Sequence, residues 1–455
     1  MVCDYDILIA GAGPAGCAAA YDLARVGRRV LLLDRRSFPR HKACACGLTR
    51  KTLRALRYSA EPVVERMCRE VVLQEAGPRF AEGVRVADKG CEVRLRTRRV
   101  ICAMAVREKF DAFCLQQTMA LGAELKKIES IVRVREFATG EFAGHVEVEV
   151  AQGNGVTETL RARALIGADG SNGQMRRMVA GLDAQRDLLK DAGEGAEGIW
   201  IESRAAQLPR EPPWYARGFA LEATVPFEAL PATLPAGDRA QDLVFDFAPI
   251  SGGYGWMFPK GDHVNVGVGG FVPRGEGGAA AGEAEMTYES VTRGLLAWYI
   301  REKLGVELDR LLQAHVTGQH LGLGGHAYVP RGRVLLAGDA AGMVDPLTGE
   351  GIYSAIISGQ AAAGAILASA EDASAETLAT EYAERLRELQ AMLAFSHDAA
   401  RSFYREPGRG FRVIRKRLLR QLMLKTYADG LPYAKLLGAL RAAGRAARAA
   451  QMVVD

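Results

Sequence analysis

An uninterrupted apolar run, Ile7-Leu8-Ile9-Ala10, gives way at Gly11 to Gly11-Ala12-Gly13-Pro14-Ala15-Gly16. Small and apolar residues continue through 17–24, and a second apolar run, Val30-Leu31-Leu32-Leu33, ends in Asp34. Short runs without polar alternation suit strands buried on both faces, and the segment between them has helical texture. The pattern predicts strand, tight turn, helix, strand and terminal acid within about 30 residues.

Downstream, residues 108–122 place Phe110, Phe113, Leu115, Met119 and Leu121 on an amphipathic helix. Alternating segments at 124–134, 145–150 and 157–165 predict a small antiparallel ribbon, and Leu165-Ile166-Gly167-Ala168-Asp169-Gly170 reads as a strand entering a turn. From about residue 182 the texture changes. Strand-like pieces at 198–202, 218–225, 243–247 and 263–271 are joined by Pro- and Gly-rich loops, including the low-complexity stretch 274–285. The nucleotide-site texture returns at Arg333-Val334-Leu335-Leu336-Ala337-Gly338-Asp339, and an Ala-rich helix follows from Gly351. Helical periodicity dominates from 375, with breaks at Pro407-Gly408 and near Gly430-Leu431-Pro432. The expected fold is α/β. A Rossmann-like nucleotide domain is assembled from separated segments, 1–181 and 326–374. An antiparallel-sheet substrate domain spans 182–325, and a basic helical region spans 375–455.

Length and composition agree with a large globular chain: 455 residues, 49% hydrophobic and 25% charged. No run of about 18 apolar residues predicts a membrane-spanning helix. The first strand begins at Ile7, so no signal peptide is expected. All eight cysteines fall between Cys3 and Cys114, an unlikely framework for disulfides across the whole chain. A cytoplasmic protein with reduced thiols is expected.

The net charge of +5 conceals an asymmetry, because residues 401–450 hold thirteen Lys/Arg against Glu406 and Asp429. Aliphatic positions interleave with these charges around Phe411-Arg412-Val413-Ile414 and Leu418-Leu419-Arg420. Two readings stand: basic amphipathic helices touching an anionic membrane surface, or a helical cap docked on the body. Nucleic-acid binding is not expected, since no aromatic interleaving accompanies the charge. Oligomeric state is left open.

The chemistry begins at the glycine fingerprint. Gly11 permits a sharp turn, Gly13 lets a pyrophosphate approach the backbone, and Gly16 lets the helix pack closely. The helix N-terminus presents N–H groups and a positive dipole to phosphates, and Asp34 is positioned for a ribose. No second strand–glycine–helix unit follows, because Gly267-Val268-Gly269-Gly270 lies in a strand-like run. His41, Cys44 and Cys46 lack a second ligand pair, so no metal site is expected.

The fingerprint, the Asp169-Gly170 turn and the Gly338-Asp339 turn, in this order, resemble the FAD-binding flavoproteins of the aromatic-hydroxylase superfamily. The resemblance implies FAD as cofactor, held at Gly11, Gly13, Pro14, Ala15, Gly16, Asp34, Arg35, Arg107, Asp169, Gly338 and Asp339. The Gly349, Glu350, Gly351 and Ile352 segment would approach the flavin ring. For Asp169, cofactor contact and a bracing role both stand.

Two further segments resemble the geranylgeranyl reductases, which use reduced FAD to saturate isoprenoid double bonds. Cys44-Ala45-Cys46-Gly47-Leu48 is similar to their Cys-Gly-Gly-Gly-Leu segment, with Ala45 and Cys46 replacing glycines. Gly253-Tyr254-Gly255-Trp256-Met257-Phe258-Pro259 is similar to their Tyr-x-Trp-x-Phe-Pro motif, with Ser251 where a proline often leads. The resemblance implies Cys44, Tyr254 and Trp256 as catalytic candidates and Cys46, Phe258 and Pro259 as pocket residues. Core packing is the alternative for the aromatics, and an inert thiol the alternative for Cys44. The implied substrate is a lipid or isoprenoid, and the donor is NADPH or a ferredoxin-like protein. Rival readings are an FAD monooxygenase or halogenase of an aromatic or polycyclic compound, and a non-catalytic flavin sensor or lipid-binding protein.

Overall fold

A computed structural model describes residues 4–75, 79–81, 84–86, 92–153, 155–192, 198–203, 211–231, 242–250, 252–271, 291–311, 316–431 and 438. The stretch 274–285, Ser251 and the tail beyond 431, apart from residue 438, lie outside these residues.

Two large sheets organise the chain. The first is a five-stranded parallel sheet in the order Glu124–Lys127, Val30–Asp34, Ile7–Ala10, Ala164–Gly167, Val334–Leu336. The inner strands Ile7–Ala10 and Ala164–Gly167 are buried throughout, as their uninterrupted apolar runs require. Helix Pro14–Ala24 packs against helix Ile352–Ala368 at very short range. A Cβ at Gly359 would lie 2.2 Å from the Ala15 carbonyl oxygen. Small residues on both helices therefore bring residues 15 and 359 together across most of the sequence.

The second sheet has seven strands in the order Thr317–Leu323, Ala216–Pro226, His263–Gly270, Gly253–Pro259, Leu243–Asp246, Glu70–Gln74, Glu92–Arg96. Only the Leu243–Asp246/Glu70–Gln74 pair is parallel. One face packs Val244, Met257, Val264, Val266 and Val268 against Tyr299 and Ile300 of helix Arg293–Leu304. The other packs Phe245, Tyr254, Trp256 and Phe258 beside Tyr404, Phe411 and Ile414 of the C-terminal helices. Residues two apart share a face, so the strand register sorts the aromatics from the aliphatics.

Several segments sit differently from their sequence expectations. The 124–134 stretch divides: Glu124–Lys127 completes the parallel sheet, and Ser130–Phe137 begins the antiparallel one. Glu124–Lys127 is a polar edge strand, exposed at both ends, and its short sequence does not reveal which sheet it joins. Gly198–Glu202 joins this ribbon and not the seven-stranded sheet. Glu70–Gln74 and Glu92–Arg96 widen the seven-stranded sheet from within 1–181. Sheet membership thus crosses residue 181 in both directions. Helix Met175–Ala192 is a further element absent from the sequence reading. Its buried Met175, Met178, Val179 and Leu182 carried the helical period.

The C-terminal helices Ala375–Arg405, Pro407–Ile414 and Arg417–Asp429 dock on the body. Pro407 stands in the first turn of its helix, where no N–H is needed. Leu389, Leu393, Ala400, Tyr404, Phe411, Ile414 and Leu419 are buried, while Arg412, Arg415, Lys416 and Arg417 are exposed. Among the described residues no helix is long and apolar enough to cross a membrane.

Candidate active site

The three fingerprint glycines serve different neighbours. A Cβ on Gly11, at φ +105°, would lie 2.3 Å from the Ala168 carbonyl oxygen, and one on Gly16 would lie 1.9 Å from that of Gly11. Both are glycines because protein backbone occupies the space. Gly13 differs: its nearest neighbour would be an Arg40 guanidinium nitrogen at 3.6 Å. Gly13 faces a cavity of about 680 Å³ bordered by Gly11, Pro14, Ala15, Asp34, Arg35, Gly338 and Asp339. Helix Pro14–Ala24 opens onto it without a side-chain cap, leaving first-turn N–H groups for an anion. Gly16 lies behind the loop and does not line the cavity. The Asp34 carboxylate accepts from the Ala12 and Arg36 N–H groups, each at 2.8 Å, and keeps lone pairs for hydroxyls.

Asp169 lines the same cavity, and its carboxylate accepts from the Gln174 and Met175 N–H groups at 2.7 and 3.0 Å. It therefore starts helix Met175–Ala192 in the manner of a cap. Burial raises its pKa, opposed by these hydrogen bonds. The bracing reading has direct contacts here.

A smaller cavity of about 150 Å³ shares Pro14, Lys42, Gln319, Asp339 and Ala355 with the first, so the two form one extended cleft. Arg107, Cys44, Cys46, Tyr254, Trp256, Phe258 and residues 349–352 line it. Arg107 is buried and makes a two-point pair with Asp111 at 3.0 and 2.9 Å. Glu350 does more than the sequence suggested. Its carboxylate meets Lys51 Nζ at 2.6 Å and accepts from the Thr49 and Thr52 hydroxyls at 2.7 and 3.1 Å. These contacts fasten the 349–351 turn to helix Arg50–Ala55.

The Cys44–Gly47 segment forms another wall. Cys46 adopts φ +46°, a left-handed conformation that favours the glycine its resemblance expects. Lys260 Nζ donates to the Ala45 and Ala105 carbonyls at 2.5 and 2.9 Å, and the Cys46 N–H reaches the Cys44 sulfur at 3.3 Å. All six cysteines among the described residues are free. Burial pushes the Cys46 thiol up, making it a poor acid.

Tyr254, Trp256 and Phe258 project into this cavity, whereas Pro259 lines neither cavity. Strand alternation explains this, since Pro259 shares the face of Met257. The Tyr254 hydroxyl donates to the Thr348 carbonyl, tying the aromatic strand to the 349–351 turn. Trp256 Nε1 donates to Asn265 Oδ1 at 2.8 Å. A Cβ on Gly267 would lie 2.0 Å from the Trp256 ring. The Gly267 run thus leaves room for an indole crossing the sheet.

A third cavity, about 490 Å³, lies between the seven-stranded sheet and the C-terminal helices. Leu73, Phe247, Phe403, Val413, Ile414 and Met423 are among its walls. It shares Phe245, Tyr254, Thr348 and Tyr427 with the cavity beneath Trp256.

Residues 4–189 and 283–396 match the FAD binding domain family. The chain belongs to that family. It is 29% identical over 370 residues to menaquinone reductase of Mycolicibacterium smegmatis (79% of this chain, 75% of that one). It is 28% identical over 395 residues to digeranylgeranylglycerophospholipid reductase 1 of Methanopyrus kandleri (85% and 86%). A geranylgeranyl bacteriochlorophyll reductase-like protein of Thermoplasma acidophilum shares its fold, with TM-score 0.63 and 16% identity over 95% of this chain and 98% of that one.

The protein is an FAD-dependent oxidoreductase, and the cleft fits the cofactor. Gly13 leaves space that no protein atom fills, an uncapped helix end faces that space, and the cleft continues past Asp339 to the aromatic wall. Glu222, Asn265, Lys260 and Lys51 are the site residues that sequence reasoning missed. Glu222 and Asn265 showed only as polar residues among mainly apolar strand neighbours. Lys51 and Lys260 carried no signal, one in the polar helix Arg50–Ala55 and the other just past strand Gly253–Pro259.

Proposed function

We propose that the protein saturates carbon–carbon double bonds of an isoprenoid chain. Reduced FAD, when bound, supplies the hydride. The observation carrying this reading is the apolar cavity that meets the aromatic cavity at Phe245, Tyr254 and Tyr427. Its volume lies within the range of about 300–1,000 Å³ for small-molecule sites. A branched hydrocarbon gains about 0.8 kcal/mol per CH₂ buried there, which suits a long unsaturated lipid. The names of the two curated relatives support a reductase of a lipid-like substrate.

Tyr254 and Trp256 wall the reacting end, exclude water from it and present π faces to positive charge building on the more substituted carbon. Such a contact contributes about 0.5–2 kcal/mol. NADPH or a ferredoxin-like protein brings the electrons. The exposed Arg412, Arg415, Lys416 and Arg417 bring the cavity to an anionic membrane surface where the lipid resides.

The test is anaerobic. The flavin is reduced and then mixed with geranylgeranyl diphosphate or a digeranylgeranyl phospholipid. Stoichiometric reoxidation with a product heavier by two hydrogens per bond is expected. Reoxidation by oxygen alone would overturn the reading. Sedimentation with anionic liposomes, lost on truncation after Arg401, tests the membrane contact.

A further inference from the structure

Saturating a double bond takes a proton as well as a hydride, so the cavity must contain an acid. Glu222 lies on strand Ala216–Pro226, is 7% exposed, and lines the cavity with Cys44 and Trp256. Its Oε1 accepts from the Cys44 N–H at 2.8 Å. Glu222 and Trp256 both stand opposite Gly267, one on each neighbouring strand. The indole N–H can only donate, so it takes Asn265 Oδ1 and turns the Asn265 amide N–H toward Glu222.

We propose that the Glu222 carboxyl donates the proton that completes reduction of the double bond, and that Trp256 and Asn265 position it. The inference rests on the isoprenoid-reductase reading. The π bond breaks and its electron pair forms a C–H bond with the Glu222 proton. The hydride from reduced FAD forms the second C–H bond. Glu222 is left as a carboxylate and is reprotonated from water.

Its surroundings suit that role. Burial pushes Glu222 up to about 7, opposed by the Cys44 N–H, Asn265, Lys260 and Arg107. An acid near the working pH transfers protons well. The other groups facing the cavity serve less well. Burial holds the Tyr254 and Cys46 acids too weak. Arg107 is locked to Asp111, and Glu350 is engaged by Lys51. Burial lowers His320 from its usual value, which disfavours its acid form near neutral pH, and brings Lys42 down toward the working range. Lys42 and Cys44 are the remaining rivals.

Glu222→Gln keeps an acceptor for the Cys44 N–H and removes the acid. Two measurements are required together. In apoprotein, infrared difference spectra should show a protonated carboxyl titrating near pH 7 that is missing from Glu222→Gln. In holoenzyme, the variant should bind FAD and be reduced by dithionite as the wild type is. Its reoxidation by geranylgeranyl diphosphate or a digeranylgeranyl phospholipid should be at least about 100-fold slower. A wild-type rate in Glu222→Gln, or no carboxyl lost from the titration, overturns the inference. So does a loss found in Cys44→Ala but not in Glu222→Gln. Wild-type protein that neither lipid reoxidises overturns the function reading, and this inference with it. Trp256→Phe frees Asn265 to turn away and removes a bond that favours the carboxylate. The alkaline limb of the rate should then move to higher pH, and an unmoved limb would remove the positioning role.

Discussion

The two ends of the cleft are built by different means. At the nucleotide end, Gly11, Gly13, Pro14, Ala15 and Asp34 come from one strand–helix–strand unit and act largely through backbone and empty space. At the aromatic end, Cys44, Arg107, Glu222, Trp256 and Glu350 come from five distant segments and act through side chains. A phosphate-binding turn needs only local geometry, whereas a reaction chamber needs acids, cations and rings converging from a whole fold. The difference predicts how each end fails.

The largest effect is expected at Gly16. A methyl group there meets the Gly11 carbonyl oxygen at 1.9 Å, and that backbone has no room to give. Gly16→Ala should cost about 5 kcal/mol or more and prevent folding even without FAD. Gly13→Ala meets no protein atom closer than 3.6 Å. Its apoprotein should melt as the wild type does and lose FAD affinity. Calorimetry of the two apoproteins separates internal packing from ligand approach, and equal melting would erase the distinction.

Glu350→Gln is next. Lys51 and Glu350 are 4% and 8% exposed and lie 2.6 Å apart. Burial lowers the lysine's pKa, but Glu350 and Asp345 outweigh it and raise it. Removing one partner from a buried pair costs about 3–5 kcal/mol. Chemical denaturation should show a loss near the lower figure, because Asp345 also attracts the ammonium. If Glu350→Gln is as stable as wild type, the carboxylate does not fasten the turn.

Legibility follows the same division. The first strand, fingerprint helix and second strand were readable because glycine spacing and apolar runs are local signals. In the seven-stranded sheet the strands near 218–225, 243–247 and 263–271 and their antiparallel sheet were readable, but Glu70–Gln74, Glu92–Arg96 and Thr317–Leu323 were not, because they join it through nonlocal pairing. Glu222 was invisible for a related reason. In sequence it is one polar residue in an alternating strand, which ordinarily predicts a solvated face. Only the fold turns that face inward. Pro259 erred oppositely: it belongs to the motif, but strand alternation sends it to the other side of the sheet.

Burial of Glu222 should also appear as a pH dependence of stability. Its pKa rises from 4.5 to about 7 on folding, chiefly through burial. The folded state holds the proton more tightly. The contribution is therefore complete below about 4.5, is lost as pH rises toward 7, and is level above that. Wild-type apoprotein should lose about 2–3 kcal/mol relative to Glu222→Gln across this window. Parallel urea midpoints for the two proteins between pH 5 and 8 would mean that Glu222 is solvated and that the aromatic end is no drier than the nucleotide end.

The smallest effect tests whether glycine at the aromatic end serves geometry or space. Cys46 has φ +46°, and a non-glycine residue there costs about 1–2 kcal/mol. Cys46→Gly releases that strain but empties a buried side-chain volume of similar worth. The net change should stay within about 1 kcal/mol. Gly47 is the converse. A Cβ there would lie 2.9 Å from Cys102 Sγ and 3.3 Å from the Phe258 ring, and overpacking costs about 1–3 kcal/mol. Denaturation should therefore rank Gly47→Ala as the more damaging change. The reverse order would mean that backbone conformation at 46, not the fit of Gly47 under Phe258, dictates this wall.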